Sequence, residues 1–214
     1  EDVAQANGCT YKFKNGTIKK AGTIGDIGCT SFFPSKNLGC FGDGGALITN
    51  NDELAKNIRS IANHGMTVRY YHDQIGINSR LDTIQAAILC VKLKHLDKWN
   101  KRRQVVAARY QQEIKNQKIK MQYSPNWAKS IYHLFVVTTE NKDWIVKYLQ
   151  DNDINPAFHY PVPCHLQKAY SDLGYKKGDF PHSEYLAEHC ISLPMFAELT
   201  EEEVNNVIEV INKY

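Results

Sequence analysis

The sequence predicts an α/β fold in which part of a larger domain is followed by a smaller α+β domain. Three observations support this prediction: short strand-like segments separated by turn residues before Asn50, a long helical pattern from Leu81, and renewed strand-like density from Tyr132. We expect residues 1-99 to form the larger domain and residues 100-214 the smaller one. With 214 residues, 43% of them apolar, the chain is long enough to bury a substantial core.

The first elements are predicted to be short strands followed by a capped helix. Asn15-Gly16, set between short apolar and polar alternations, indicates a tight hairpin. A short apolar strand is expected over residues 46-49. Asn50 or Asn51 is then a candidate N-cap for a helix with acidic residues in its first turn. The apolar positions of this helix follow helical spacing: Leu54, Ile58 and Ile61.

From Leu81 the apolar residues repeat on two adjacent helical tracks, and the helix is expected to continue to Tyr110. So wide an apolar face predicts burial on more than one side, as in a helix between domains or at a dimer interface. The segment 116-130 reads as a variable connection. A strand is expected over residues 132-139, a helix over residues 143-149 and another short strand over residues 157-160.

The chain closes on a predicted amphipathic helix. Thr200 and Glu203 have the spacing of a capping box and precede apolar residues at helical intervals. This helix is expected to pack against the sheet of the smaller domain.

Composition argues against several functional classes. There is no run of eighteen apolar residues and no signal-peptide pattern, so we expect a cytoplasmic protein without a membrane partner. The net charge of +3 is small, and the basic stretch from Lys98 to Arg109 is typical of a solvated helix face, so no nucleic-acid partner is expected.

The cysteines and histidines do not have the spacing of a metal site. The six cysteines are dispersed without a C-x-x-C pair and are expected to be reduced thiols: Cys9, Cys29, Cys40, Cys90, Cys164 and Cys190. His159, Cys164 and His165 lie close together, but two intervening prolines and the lack of a neighbouring carboxylate argue against a metal. His182 and His189 are expected to be surface or packing residues.

One segment carries a candidate for covalent chemistry. Lys36 follows a short apolar run and precedes a glycine-rich turn, a setting in which a lysine can act as a nucleophile that forms a Schiff base with a carbonyl. The Ser31 hydroxyl could bind a phosphate, and the nearby glycines allow close backbone approach to a flat ligand. An ordinary surface lysine at a strand-to-loop junction remains the alternative on this spacing alone.

Four motifs together resemble the DegT/DnrJ/EryC1/StrS aminotransferases, which are sugar aminotransferases that use pyridoxal phosphate (PLP). The motifs occur in the family's order and span residues 1-6, 29-45, 76-82 and 159-163. The resemblance covers essentially the whole chain. It implies a fold-type-I PLP-dependent transferase, and it leads us to expect that the chain is the C-terminal portion of a longer enzyme.

The resemblance also implies roles for individual residues. Lys36 would hold PLP as a Schiff base and move protons, while Asp2 would face the pyridine nitrogen, although a turn or helix cap is the alternative for Asp2. Four further positions match cofactor and substrate contacts of the family: Gln5 and Ser31 for the cofactor, and His159 and Tyr160 for the nucleotide sugar.

The motif at residues 76-82 implies a homodimer with shared active sites. In the family, the asparagine that matches Asn78 reaches the cofactor phosphate of the neighbouring subunit. Arg80 would bind an anionic part of the substrate. Ile77 stands where many members have tyrosine, so a contact by that hydroxyl is not expected here.

The activity implied is transfer of an amino group, with L-glutamate as the donor, to a nucleotide-linked keto sugar in amino-sugar and polysaccharide biosynthesis. The segments 28-36, 38-46 and 69-72 are similar to members that act on UDP-linked 3-keto N-acetylglucosaminuronate. Lys36 counts against the branch in which histidine replaces the lysine. The alternatives are a non-catalytic regulatory or binding protein and an inactive fragment.

Overall fold

The computed structural model describes all 214 residues and contains ten strands and six α-helices. In chain order they are β1 Thr10–Lys12, β2 Ile18–Lys20, β3 Gly28–Ser31, β4 Gly45–Ile48, α1 Asp52–Ala62, β5 Met66–Val68, β6 Tyr71–His72, α2 Thr83–Leu93, α3 Leu96–Glu113, β7 Lys120–Met121, β8 Ala128–Lys129, β9 Phe135–Thr138, α4 Lys142–Gln150, α5 Pro181–His189, β10 Cys190–Leu193 and α6 Glu201–Lys213. Two short 3₁₀ helices span Cys164–Leu166 and Lys168–Leu173. None of the helices is long and apolar enough to cross a membrane.

The chain divides into two compact units. The first consists of residues 1–101 and 125–131, and the second of residues 102–124 and 132–214. Residues 125–131 belong to the first unit because β8 pairs antiparallel with β1, with Thr10 opposite Lys129. The segment expected to be a variable connection therefore contains two strands, β7 and β8. The assignment of residues 1-99 and 100-214 to a cofactor domain and a small domain stays a prediction.

In the first unit, local turn chemistry produces two antiparallel hairpins. β1 and β2 are joined by a turn in which Phe13 N–H donates to the Thr17 carbonyl at 2.8 Å and Gly16 has a φ of 85°. The predicted hairpin at Asn15-Gly16 is thus present. β3 pairs with β4 from Gly28 opposite Ile48 to Ser31 opposite Gly45. A thirteen-residue loop, residues 32–44, connects these two strands.

The helices of the first unit follow their local signals in part. Asn51, rather than Asn50, caps α1, because its Oδ1 accepts the N–H groups of Glu53 at 2.9 Å and Leu54 at 3.1 Å. The long helix expected from Leu81 is instead two helices, α2 and α3, that are separated at residues 94–95. The predicted burial of α2 on several sides does not occur within this chain. Ile84 is 75% exposed, since no segment of the chain covers it.

The second unit is built on the antiparallel sheet β7–β9–β10, in which Phe135 lies opposite Leu193. Helices α4 and α6 contribute buried apolar residues to one core with this sheet: Ile145, Leu149, Val204, Val207, Ile208 and Ile211. The Thr200–Glu203 capping box is formed at the start of α6. The strand expected over residues 157-160 is reduced to a single bridge between Ala157 and Ser192, because the chain leaves the sheet after that pair.

Candidate active site

Lys36 lies in the loop of residues 32–44, which we call the lysine loop. The three residues before it are exposed, whereas the four after it, residues 37–40, are buried. Lys36 itself is half-buried, and its backbone N–H donates to the Phe33 carbonyl at 2.9 Å. No side chain of the protein pairs with its ammonium group. The loop therefore presents an amine whose backbone is anchored and whose nitrogen is available for reaction.

Several contacts anchor the lysine loop on helix α2. Leu38 and Cys40 pack in a small apolar core with Leu89 of α2 and Leu96 of α3. The Lys92 ammonium group of α2 donates to the Gly39 carbonyl. A side chain at position 39 would collide with the loop itself, because its Cβ would lie 2.4 Å from the Pro34 carbonyl oxygen. Glycine at position 39 therefore lets two backbone segments of the lysine loop pack closely together. The sequence had indicated only that glycines here allow a ligand to approach the backbone.

Asp2 and Ser31 lie on the same face of the strand pair formed by residues 1–3 and β3. Residues 1–3 run parallel to β3, with Val3 N–H donating to the Cys29 carbonyl at 2.7 Å, and Asp2 pairs with Cys29. Paired residues share a face, and residues two apart on a strand share a face, so Asp2, Cys29 and Ser31 point to one side. Val3, which points to the opposite side, is 2% exposed.

The polar groups on this face are only partly used by the protein. Asp2 Oδ1 accepts the Ala4 N–H at 2.9 Å, which is a turn contact, and no residue donates to its other oxygen. Ser31 Oγ accepts the Phe33 N–H at 3.2 Å, so its hydroxyl proton remains available as a donor. Gln5 is exposed and makes no polar contact with its side chain.

Asn78 and Arg80 line a second feature of the first unit, a cleft of about 680 Å³. Arg80 Nε donates to Asn78 Oδ1 at 3.0 Å, which orders the two side chains against each other. Arg59 of α1 and Asp43 also line this cleft, so its charged groups are two guanidinium groups and one carboxylate. The guanidinium groups are suited to an anion, and Asp43 partly offsets their charge. Lys36, Asp2, Gln5 and Ser31 do not line it.

In the second unit, His159 and Tyr160 line a largely apolar cleft of about 610 Å³. His159 Nδ1 is 2.8 Å from Ser192 Oγ, a contact that orients the imidazole ring. Tyr160 is exposed at the cleft wall. These two residues, expected to contact the nucleotide sugar, are therefore brought to one concave surface.

His165, which lines the same cleft, belongs to a buried pair that the sequence did not indicate. His165 Nε2 lies 2.9 Å from Glu184 Oε1, and both side chains are less than 10% exposed. Since an ionised carboxylate only accepts, the imidazole Nε2–H donates. Nineteen residues separate the two, so no local spacing could have revealed the pair. No group of three or more metal-ligating side chains occurs in the structure.

The fold and the site define an α/β protein that presents an unpaired lysine amine in the loop after β3, a strand whose one face carries the Ser31 hydroxyl and the carboxylate of the bridged Asp2. The profile of the DegT/DnrJ/EryC1/StrS aminotransferase family matches residues 1–212. The chain belongs to this family.

Relatives with curated descriptions include both enzymes and a regulator by name. The chain is 42% identical over 212 residues to the erythromycin biosynthesis sensory transduction protein EryC1 of Saccharopolyspora erythraea, covering 99% of this chain and 57% of that protein. It is 42% identical over 195 residues to the UDP-2-acetamido-2-deoxy-3-oxo-D-glucuronate aminotransferase of Pseudomonas aeruginosa, covering 91% of this chain and 52% of the relative. The chain thus spans little more than half the length of these relatives.

Solved structures show the same fold. The S. venezuelae protein DesV, solved in complex with a ketimine intermediate, superposes with a TM-score of 0.92 at 38% identity, over 99% of this chain and 56% of that one. NtdA from Bacillus subtilis, solved with bound cofactor PMP, superposes with a TM-score of 0.79 at 29% identity, over 87% of this chain and 45% of that one. The expected fold-type-I architecture is thereby confirmed.

Proposed function

We propose that the protein containing this chain is a PLP-dependent aminotransferase that converts a nucleotide-linked keto sugar into an amino sugar. The observation that carries this proposal is the lysine loop, which presents the unpaired amine of Lys36 from an anchored backbone. Membership of the DegT/DnrJ/EryC1/StrS family and the transaminase names among its relatives support the same activity.

The residues of the first unit fit PLP by their chemistry. The cofactor requires an amine for its aldehyde, a carboxylate for its ring nitrogen and hydrogen-bond donors for its phosphate. Lys36 offers an unpaired amine, Asp2 a carboxylate oxygen to which no residue donates, and Ser31 a hydroxyl proton. In the reaction, bound PLP supplies an electron sink for the negative charge left when a carbon loses its proton.

The chain's own residues then have distinct tasks. The Lys36 amine would hold the cofactor through its aldehyde carbon, and once displaced by an amino donor its Nζ would take a proton from the donor's α-carbon and return one to the sugar carbon. Asp2 would keep the ring nitrogen protonated through its carboxylate. Gln5 would hydrogen-bond the ring region without adding charge, and Ser31 would donate to the phosphate.

The two clefts supply the proposed contacts to the substrate. Arg80 would bind an anionic group of the substrate, and His159 and Tyr160 would contact the nucleotide sugar. We propose a UDP-linked 3-keto N-acetylglucosaminuronate as the sugar, because the P. aeruginosa relative is named for that substrate type. L-glutamate is proposed as the amino donor on the family resemblance alone.

A homodimer with shared active sites is part of the proposal. Asn78 lines a cleft that Lys36 does not line, which supports a role for Asn78 at the cofactor phosphate of a second subunit. The guanidinium groups of Arg59 and Arg80 are suited to such a phosphate, although Asp43 offsets part of their charge.

The proposal is tested by the absorbance spectrum of the full-length protein with PLP. Wild type is expected to show the band of a lysine adduct, which borohydride fixes at Lys36 and which L-glutamate bleaches. Lys36→Ala is expected to lose both effects, because no amine remains to bind the aldehyde carbon. Lys14→Ala, at an exposed turn, is the matched control and should behave as wild type.

The competing function is a non-catalytic regulatory or binding protein, which the name of the EryC1 relative favours. If wild type takes up no PLP, or Lys36→Ala forms the same reducible adduct, the aminotransferase proposal fails. The other alternative is that this chain alone is an inactive fragment. A thermal melt of this chain beside the full-length protein distinguishes this alternative from a non-catalytic protein, because only a fragment is expected to melt at a lower temperature.

A further inference from the structure

A series of three hydrogen bonds, which we call the amide network, begins at Asn37, the residue after Lys36. Asn37 Nδ2 donates to Asn100 Oδ1 at 2.8 Å, and Asn100 Nδ2 donates to the Asn7 carbonyl at 3.0 Å. Asn7 Nδ2 in turn donates to Thr30 Oγ1 at 2.8 Å. Four separate segments, the lysine loop, helix α3, the amino-terminal segment and strand β3, are joined by these three bonds.

This series of hydrogen bonds is buried at helix α3. Asn37 is 8% exposed and Asn100 is 5% exposed, so water does not readily replace a lost partner. The backbone at Gly8 is shaped around this amide, because a Cβ at Gly8 would lie 2.6 Å from Asn100 Nδ2 and its φ is +102°. The contact is therefore built into the fold of the first unit.

The residues joined by these hydrogen bonds are neighbours, in sequence, of the residues of the proposed site. Asn37 follows Lys36, Thr30 precedes Ser31, and Asn7 lies two residues after Gln5. Residues 33–35 before Lys36 are exposed, and the first anchor on that side is Phe32, whose carbonyl accepts the Cys40 N–H at 2.8 Å. The bond from Asn37 is consequently the nearest buried side-chain tether to the reactive amine.

We propose that Asn37 and Asn100 are positioning residues that hold Lys36 in register with Asp2 and Ser31. The inference rests on the proposed attachment of PLP to Lys36. Neither amide needs to touch the cofactor. Loss of either side-chain amide makes the lysine loop more mobile. The Lys36 amine then spends less time in the position from which it can add to an aldehyde, so the addition is slower.

The first measurement is the rate at which PLP is captured at Lys36 in the full-length protein, with a borohydride quench and mass spectrometry of the modified peptide. Asn37→Ala and Asn100→Ala are each expected to slow capture about tenfold or more, since small misplacements of a reactive group have effects of this order. The double variant is expected to be slowed by less than the product of the two single effects, because both single variants remove the bond between Asn37 and Asn100.

The control separates positioning from lost stability. Leu149→Ala removes a fully buried side chain from the core of the second unit and is expected to lower the melting temperature. Its capture rate should stay at the wild-type value. The spectrum gives a second signature, because a displaced amine shifts the pH midpoint of the adduct's absorbance in the Asn37 and Asn100 variants only.

The second measurement needs no cofactor. Amide hydrogen exchange is followed in residues 37–40 and residues 2–7 of the cofactor-free protein, and both segments are expected to exchange faster in either asparagine variant. Unchanged exchange, or faster exchange with a wild-type capture rate and midpoint, overturns the proposal. If PLP labels other lysines in wild type, the proposed function fails instead, and exchange alone decides whether the amide network holds the two segments together.

Discussion

At the scale of single residues, Glu184 shows how burial and hydrogen bonding compete for one carboxylate. Burial alone would raise the pKa of Glu184. The Gly178 N–H, at 2.8 Å from both carboxylate oxygens, and the His165 ring stabilise the anion and outweigh burial, so the pKa lies below its ordinary range. His165 lines the cleft of His159 and Tyr160, so the ionised form of Glu184 supports one residue of that lining from behind.

This lowered pKa predicts a pH-dependent contribution to stability. A carboxylate with a depressed folded-state pKa stabilises the fold above the unfolded-state pKa, about 4.3 for glutamate, and the contribution is lost as the pH falls through the folded value. Glu184→Gln is therefore expected to lower the urea midpoint at pH 7, and the difference from wild type should shrink below about pH 4.3.

Urea unfolding followed by tryptophan fluorescence from pH 7 downward measures this difference. Glu202→Gln, at an exposed position of α6, is the matched control and should leave the midpoint nearly unchanged throughout. A difference between Glu184→Gln and wild type that does not vary with pH would contradict the ionic role.

At the scale of elements, helix α6 is defined at its start by a reciprocal cap. Thr200 Oγ1 accepts the Glu203 N–H at 3.2 Å, and Glu203 Oε2 accepts the Thr200 N–H at 2.8 Å. These bonds satisfy groups that the first helical turn leaves without partners. The cap places the apolar face of α6 in register with the sheet of the second unit.

Thr200→Ala removes the hydroxyl acceptor and is expected to reduce the free energy of unfolding by about 1 kcal/mol. Equilibrium urea unfolding gives the value. Thr17→Ala deletes a hydroxyl from the exposed turn between β1 and β2, where no helix begins, and serves as the control. A loss for Thr200→Ala no larger than that of the control would mean that the cap adds nothing to stability.

At the scale of the whole molecule, the placement of Asn78 and Lys36 bears on the proposed dimer. The cleft of Asn78 and Arg80 excludes Lys36, although both lie in the first unit. An isologous dimer could bring the lysine loop of one subunit to the cleft of the other, and would do so twice by symmetry.

Shared sites predict complementation between two defective variants. Lys36→Ala and Asn78→Ala are each expected to have low activity alone. After subunit exchange, a mixed dimer has one site with both defects and one intact site, so equal mixing should restore up to about a quarter of wild-type activity. The measurement is aminotransferase activity before and after mild unfolding and refolding of the mixture, and activity no higher than the mean of the separate variants would contradict shared sites.

The sequence by itself determined the parts of this protein that depend on neighbouring residues. The Asn15-Gly16 turn, the cap of α1, the capping box of α6 and the lysine between an apolar run and a glycine-rich turn all rest on local spacing. The family could also be identified from the sequence, because each of its motifs is a short continuous segment.

Only the tertiary structure decided the contacts between distant segments. β8 joins β1 across more than a hundred residues, Asn100 reaches Asn37 across 63, and the break between α2 and α3 interrupts an unbroken apolar pattern. Glu184 meets His165 only because the chain folds back beside the 3₁₀ helices. Such pairings depend on which surfaces pack together, and periodicity along one segment carries no information about its distant partner.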